Sequence, residues 1–328
     1  MGKVKRNVGI DVIKGLAILS VILLHIFDTE KLLKIGAPFH VWQAVPVFMI
    51  LLGYNNAHSY RRHHFEKPHD FLEPTYIRRR FLGIILPAII IYVIELLILF
   101  MFFDKDLIRD SLYENILKGG WGPGSYYVPL IIQAYFIMPI LYMAAKRIGW
   151  KQMLVYSGLF NLFMEIFSRH MGIPEGIYRI LIIRFIFAIA LGIALSFTDI
   201  SRSLIKKLIP PALFSLIYIV GVMYFDVEIV MEKYWHSQHL FGFFWPLLLL
   251  TFAIYYDFSR NNKLVKVLQY LGKRSYYIYL VQMLYFWSYL DMNLSLTLWT
   301  ILLDYIVCIA GGVLFFKWDQ RFFSGEII

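Results

Sequence analysis

Apolar runs long enough to cross a bilayer recur along the whole 328-residue chain, with short charged segments between them. A membrane-spanning helix needs about 20 mostly apolar residues, so this recurrence leaves little room for a soluble fold. About ten runs can be read, at residues 8–27, 41–58, 81–103, 126–145, 151–167, 179–198, 204–225, 238–257, 275–290 and 294–316. The composition agrees: 59% of residues are hydrophobic and 16% charged, and mean hydropathy is +0.63, outside the balance of ordinary globular domains. The runs are continuous and do not alternate with period two, which argues against a β-barrel and for an all-α, polytopic helical bundle.

The net charge of +10 is sorted by loop. With the N-terminus inside, the cytoplasmic connections hold 22 of the 32 lysines and arginines and the outer ones hold 8, with Lys14 and Arg184 left inside runs. The positive-inside rule accounts for this asymmetry without nucleic acid and puts both termini in the cytoplasm. Lys3, Lys5 and Arg6 precede the first run, but no small-residue cleavage site follows it, so the run is expected to stay in the mature protein. No linker or low-complexity tract divides the chain, which reads as a single transmembrane domain over residues 1–328. The lone cysteine, Cys308, excludes an intrachain disulfide and a cysteine metal cluster. His58, His63, His64 and His69 share a basic connection without a metal-site spacing, and are expected as solvated loop residues; no metal site is expected.

The first run, GIDVIKGLAILSVILLHIFD (9–28), carries Asp11, Lys14 and His25. Along a helix Lys14 and His25 differ by only about 20° in azimuth, and Asp11 and His25 by about 40°, so all three share one face. His25 lies about 16 Å further along the axis than Lys14. Such a polar column should face protein or a wet cavity, because ionisable groups are costly in lipid. Plainer readings stand beside that one. Asp11 and Lys14 are spaced for a local ion pair, with Lys14 snorkelling to the headgroups, and a neutral His25 can simply bond a neighbouring helix. Glu95, Gln133, Glu165 and Arg184 are further polar residues within runs, at depths that group them with His25 as a polar chamber. Against this, Glu165 and Arg184 can instead form a structural ion pair. Gln282 and Asp304 are expected as interhelical hydrogen-bond partners. Trp121, Tyr126 and Tyr127 at the mouth of the fourth run offer a stacking surface.

The Asp11, Lys14–Gly15 and His25 pattern resembles the first-helix signature of acyltransferase family 3, and further segments follow in order. VPVFMILLGY (45–54) is similar to the family's second-helix run, YIRRRFLGIILP (76–87) to its basic approach to the third helix, WGPGSYYVPLIIQAYFIMPIL (121–141) to its Trp, Tyr, Leu, Gln and Pro landmarks, and LGKRSYYIYLVQ (271–282) to its late Gly, Ser, Tyr, Leu motif. Arg80 matches the first arginine of a family Arg-x-x-Arg pair, while Gly83 stands in the second position and Leu52 where a serine commonly precedes Gly-Tyr.

The resemblance implies a membrane enzyme that takes an acyl group, usually acetyl, from cytosolic acyl-CoA and places it on a hydroxyl of a saccharide or other acceptor. His25 then looks like the essential histidine, as base or acyl carrier, since imidazole titrates near operating pH. Lys14, Arg78, Arg79 and Arg80 are the expected holders of the CoA phosphates, although the arginines also suit plain positive-inside flanking. Glu95, Tyr126, Gln133, Glu165 and Arg184 are the expected acceptor residues. Asp11 is structural, and Asp28 either orients the His25 ring or is a solvated loop residue. No permanently bound cofactor is implied; acetyl-CoA or another acyl-CoA is co-substrate. The implied location is a plasma membrane, bacterial in kind, and a homo-oligomer stays open because lipid-facing and partner-facing surfaces look alike in sequence. The rival from another class is a transporter or membrane sensor using the intramembrane charges, which would call for paired interrupted helices. A degenerate family member kept as a partner-binding subunit is the third reading.

Overall fold

The computed structural model describes residues 7–102, 115, 117–232, 234–259, 261–289 and 296–323. Of the basic residues used for topology, Lys3, Lys5, Arg6, Lys105, Arg109, Lys233 and Arg260 lie outside the described residues. Among the described residues the regular structure is helical and includes no strand. The helices are α1 (Val8–Ile26), α2 (Thr29–Lys34), α3 (Ala44–Arg62), α4 (Pro74–Arg80), α5 (Leu86–Phe102), α6 (Tyr127–Arg147), α7 (Trp150–Met171), α8 (Glu175–Ile180), α9 (Ile186–Ser196), α10 (Arg202–Tyr224), α11 (Phe244–Tyr255), α12 (Lys263–Tyr289) and α13 (Leu298–Phe322).

Among the described residues, six helical segments are long and apolar enough to cross a membrane: Val8–Ile26, Ala37–Arg62, Pro74–Phe102, Tyr127–Arg147, Arg202–Tyr224 and Leu298–Phe322. Ile182–Ser196 and Leu240–Tyr255 are apolar but shorter. The chain is therefore a multi-pass membrane protein. The described residues form two compact units.

The first unit is drawn from Met1–Phe65, Ile137–Tyr178 and Ile182–Lys273. Its α1 starts on Asn7, whose side chain accepts the Gly9 and Ile10 amides and donates to Ile254 O at 2.9 Å. Glycines then set how closely helices approach. A Cβ at Gly9 would lie 1.7 Å from Ala253 O, one at Gly15 2.3 Å from Leu268 O, and one at Gly272 1.8 Å from Asp11 O. Helix α1 is thus pressed backbone to backbone against α11 and the start of α12. Between α3 and α9, Gly53 meets Ile189 O and Gly192 meets Ile50 O in the same way. Inside a bilayer there is little hydrophobic drive between helices, so this close packing takes over the role.

Two runs expected as single spans are interrupted in this unit. Residues 179–198 break into α8, a 3-10 turn at Ile182–Phe185 and α9; residues 238–257 begin with 3-10 turns at His236–Gln238 and Leu240–Gly242 before α11. The physical reason lies on α7. Asn161 Oδ1 accepts the Phe187 amide at 3.1 Å, and Glu165 Oε1 accepts the Leu240 amide at 3.1 Å. One polar pair, four residues apart on α7, supplies acceptors that the broken helix starts would otherwise lack.

The second unit is drawn from Glu66–Phe136, Arg179–Leu181 and Arg274–Ile328. Helix formation starts at Pro74, earlier than the apolar run, because proline suits the first helical position. The basic triplet is therefore helical. Between α4 and α5, Phe81–Ile85 forms a π-turn in which the Leu86 amide bonds to Phe81 O. Pro87 explains it: lacking an N–H and clashing with the Gly83 carbonyl, it opens the α ladder. The Tyr276 hydroxyl donates to Ile84 O at 2.6 Å, satisfying one carbonyl of that turn. Helix α13 packs on α12 at Gly312, where a Cβ would lie 2.5 Å from Ile278 Cα.

Candidate active site

On α1 the polar column is present as a face of the helix. Asp11 is fully buried at 0% exposure, while Lys14 and His25 are half-buried. Gly15, beside Lys14, is the residue that lets α12 approach, so the Lys-Gly pair joins a charge to a close helix crossing. Asp28 does not belong to this column. It caps α2, accepting the Lys31 amide at 2.8 Å and pairing with Lys31 Nζ at 2.7 Å. Those hydrogen bonds from Lys31 hold its carboxyl below the usual carboxylate range.

Glu165 and Arg184 lie in one buried network of the first unit. Both are 1% exposed. Glu165 takes Asn161 Nδ2 at 2.8 Å besides the Leu240 amide. Arg184 Nη2 donates to Gln238 Oε1 at 3.0 Å, and its guanidinium lies over Tyr178, Phe185 and Trp235 at 5.4, 4.5 and 5.2 Å. Gln238 in turn donates to Trp42 O at 3.0 Å, and Gln43 to Pro38 O at 2.7 Å and Ser237 O at 3.1 Å. His239, wholly buried, bridges the Tyr218 hydroxyl at 3.2 Å and Tyr234 O at 2.8 Å. A carbonyl only accepts, so Nε2 carries the proton and Nδ1 accepts from Tyr218. Sequence reasoning passed over Asn161, Gln238 and His239; the signal for the first was its i, i+4 spacing from Glu165 within an apolar run.

The second unit holds the remaining expected residues, each with its own partners. Arg78 and Arg79 are exposed on the last turn of α4. Arg80 is sandwiched between Tyr76 at 5.0 Å and Tyr135 at 5.3 Å. Gln133 donates to Ile180 O at 2.7 Å, and Tyr126 lies under the Arg179 guanidinium at 4.6 Å. Glu95, fully buried, accepts the Trp121 amide at 3.2 Å.

Two expectations about side chains change, at His58 and Gln282, while those for Asp304 and the other histidines of that cluster hold. His58 is not a solvated loop residue: α3 continues to Arg62, and the ring packs edge-on against Tyr54 at 4.4 Å and meets Arg61 Nη2 at 3.1 Å. His63, His64 and His69 are exposed. Asp304 has its hydrogen-bond partner in Tyr285, at 2.8 Å. Gln282, at 0% exposure, has none for either amide atom among the described residues, so its expected interhelical bond is not made.

A family model described as an acyltransferase domain matches residues 7–317, from the cap of α1 into the last turns of α13. The chain is a member of acyltransferase family 3. Comparison with curated proteins and with solved structures returned no significant match. As a family 3 protein it is a membrane acyltransferase, and its departures from the family pattern now have surroundings. At Gly83 a Cβ would meet nothing within 4 Å, so a side chain can leave the backbone there without a clash. Leu52 precedes Gly53, whose missing side chain the crossing with α9 requires.

Proposed function

We propose that this family 3 acyltransferase moves an acyl group, acetyl foremost, from cytosolic acyl-CoA to a hydroxyl of a saccharide or related acceptor at the outer side of the membrane. The observation that carries the reading is the α1 column, Lys14 and His25 on one half-buried face, in a chain matched to the family over residues 7–317. His25 takes the acceptor's hydroxyl proton as its oxygen attacks the thioester carbonyl. A C–O bond forms, the C–S bond breaks, and the imidazolium returns the proton to the CoA sulfur. As an acyl carrier, the imidazole nitrogen attacks first and the hydroxyl displaces it. Either route requires His25.

Lys14, Arg78, Arg79 and Arg80 are the proposed donor-binding cations, suited by charge and fork geometry to nucleotide phosphates. Glu95, Tyr126 and Gln133 serve the acceptor, and Glu165, Arg184, Asp11 and Asp28 are structural. The reading includes about ten crossings with both termini cytoplasmic, in a bacterial plasma membrane. Labelled acetyl-CoA supplied to the full chain in nanodiscs is expected to be consumed, and His25→Ala to slow this by about 100-fold or more. A well-folded wild type that neither binds nor consumes acyl-CoA would sink the proposal. The interrupted segments around Arg184 and His239 favour a second reading, a transporter or sensor of this fold, which that negative result would select.

A further inference from the structure

The stretch Gly119-Gly120-Trp121-Gly122-Pro123-Gly124 precedes α6 in the second unit. Gly119, Gly120 and Gly124 have φ of +83°, +132° and +86°, open to glycine and strained for other residues. Space is equally restrictive. A Cβ at Gly120 would lie 2.6 Å from Glu95 Oε2, and one at Gly122 2.4 Å from Met283 O. The Tyr279 hydroxyl also holds Gly124 O at 2.9 Å. The loop is thus gripped by α5 on one side and α12 on the other. Glu95 belongs to the apolar segment Pro74–Phe102, so irregular backbone sits at membrane depth. That is tolerated only where it is buried in protein or lines a wet cavity.

Around this loop polar groups are left over. Glu95 is 0% exposed; its carboxyl takes the Trp121 and Gly122 amides, while Oε1 has no hydrogen-bond partner among the described residues. Three residues earlier on the same face, Tyr92 stacks on the Trp121 ring, centroids 5.4 Å apart and planes 19° apart. Its hydroxyl is likewise buried without a partner among the described residues. Loop anchoring needs neither excess. Phenylalanine would stack as well as tyrosine, and glutamine would accept the Trp121 amide. A carboxylate oxygen that accepts, a phenol that both donates and accepts, and a flat aromatic pair together complement a ring bearing adjacent hydroxyls.

We propose that Tyr92, Glu95 and Trp121 form a hydroxyl-recognising subsite for a saccharide. It rests on the reading above in taking the acceptor to be a saccharide. The test uses the full chain in nanodiscs with maltotriose and chitotriose as probes, binding followed by titration calorimetry and folding by thermal melting. Wild type is expected to bind at least one probe saturably. Tyr92→Phe, which keeps the stack, should weaken it about tenfold with an unchanged melting temperature, and Glu95→Gln should weaken it further. The proposal is overturned if wild type binds neither probe, or if Tyr92→Phe binds as wild type does. It is equally overturned if Tyr92→Phe melts several degrees lower, for the hydroxyl would then serve the fold. A wild type that binds a probe but consumes no acetyl-CoA refutes acyl transfer and leaves the subsite standing.

Discussion

Glu165 and Glu95 are both buried carboxylates on apolar helices, and each fastens a stretch of irregular backbone by accepting an amide. Each also keeps one oxygen without a hydrogen-bond partner among the described residues. What surrounds them differs. Beside Glu165 stand Asn161, Arg184, Gln238 and Gln43, which hand hydrogen bonds from one element to the next. Beside Glu95 stand an aromatic stack and a phenol hydroxyl that bonds nothing among the described residues. A cross-braced network holds a fold together, because removing any member strands several others. A carboxylate that takes only the amides of one loop, beside a surplus phenol, spends less on the fold and keeps capacity for a ligand.

The difference can be broken most directly at Arg184. Arg184→Ala should destabilise by roughly 3–5 kcal/mol, since it strands Gln238 and empties the space among three aromatic rings, and thermal melting in nanodiscs reads this. Arg184→Lys should recover little, because an ammonium lacks the planar fork. Glu165→Ala should cost less, about 2–4 kcal/mol, by leaving the Asn161 amide and the Leu240 N–H unsatisfied. Equal melting temperatures for these variants and wild type would remove the bracing role.

Glu95→Ala should cost about 1–3 kcal/mol, for the stranded Trp121 and Gly122 amides, and hydrogen exchange should quicken at residues 119–124 while the rest of the unit is unchanged. If exchange quickens throughout the unit, Glu95 is a brace like Glu165 and the contrast fails. Gln282→Leu should be neutral or raise stability by up to about 1 kcal/mol, because a buried amide with no partner among the described residues is replaced by an apolar group of similar size. A loss of stability there would show that the amide is matched in the folded protein.

The smallest effect is expected at a carboxylate outside the spans. Asp70 Oδ2 accepts the Glu66 and Lys67 amides, both at 2.7 Å, and these bonds hold its carboxyl below the ordinary value of 3.8. A depressed folded value means its contribution is complete above that ordinary value and is lost as pH falls through the lower one. Asp70→Asn should therefore flatten the dependence of melting on pH below about pH 4, melting slightly below wild type at neutral pH and converging with it in acid. An unaltered acid limb would reject the assignment.

The helices were legible where apolarity was continuous. Runs at 8–27 and 204–225 match α1 and α10 within a few residues because hydropathy and the 3.6-residue period are local properties. The polar face of α1 was readable for the same reason. The interruptions at 181–185 and 236–243 were not, because the acceptors that make them tolerable, Asn161 and Glu165, are remote in sequence. His58 was taken for a loop residue from its polar neighbours, yet Tyr54 and Arg61, each within one helical turn, keep it in α3. The start of α4 at Pro74 and the π-turn ahead of Pro87 carried proline signals that the apolar run at 81–103 outweighed.

Sequence by itself determined that this chain is a helical, multi-pass membrane protein of acyltransferase family 3 with Asp11, Lys14 and His25 on one face, since each of those rests on spacing along a single strand of residues. Only the tertiary structure decided which buried polar groups are matched and which are left over. Hydrogen-bond satisfaction depends on groups that meet in space, so Glu165 and Glu95, alike in sequence context, differ only once their neighbours are known.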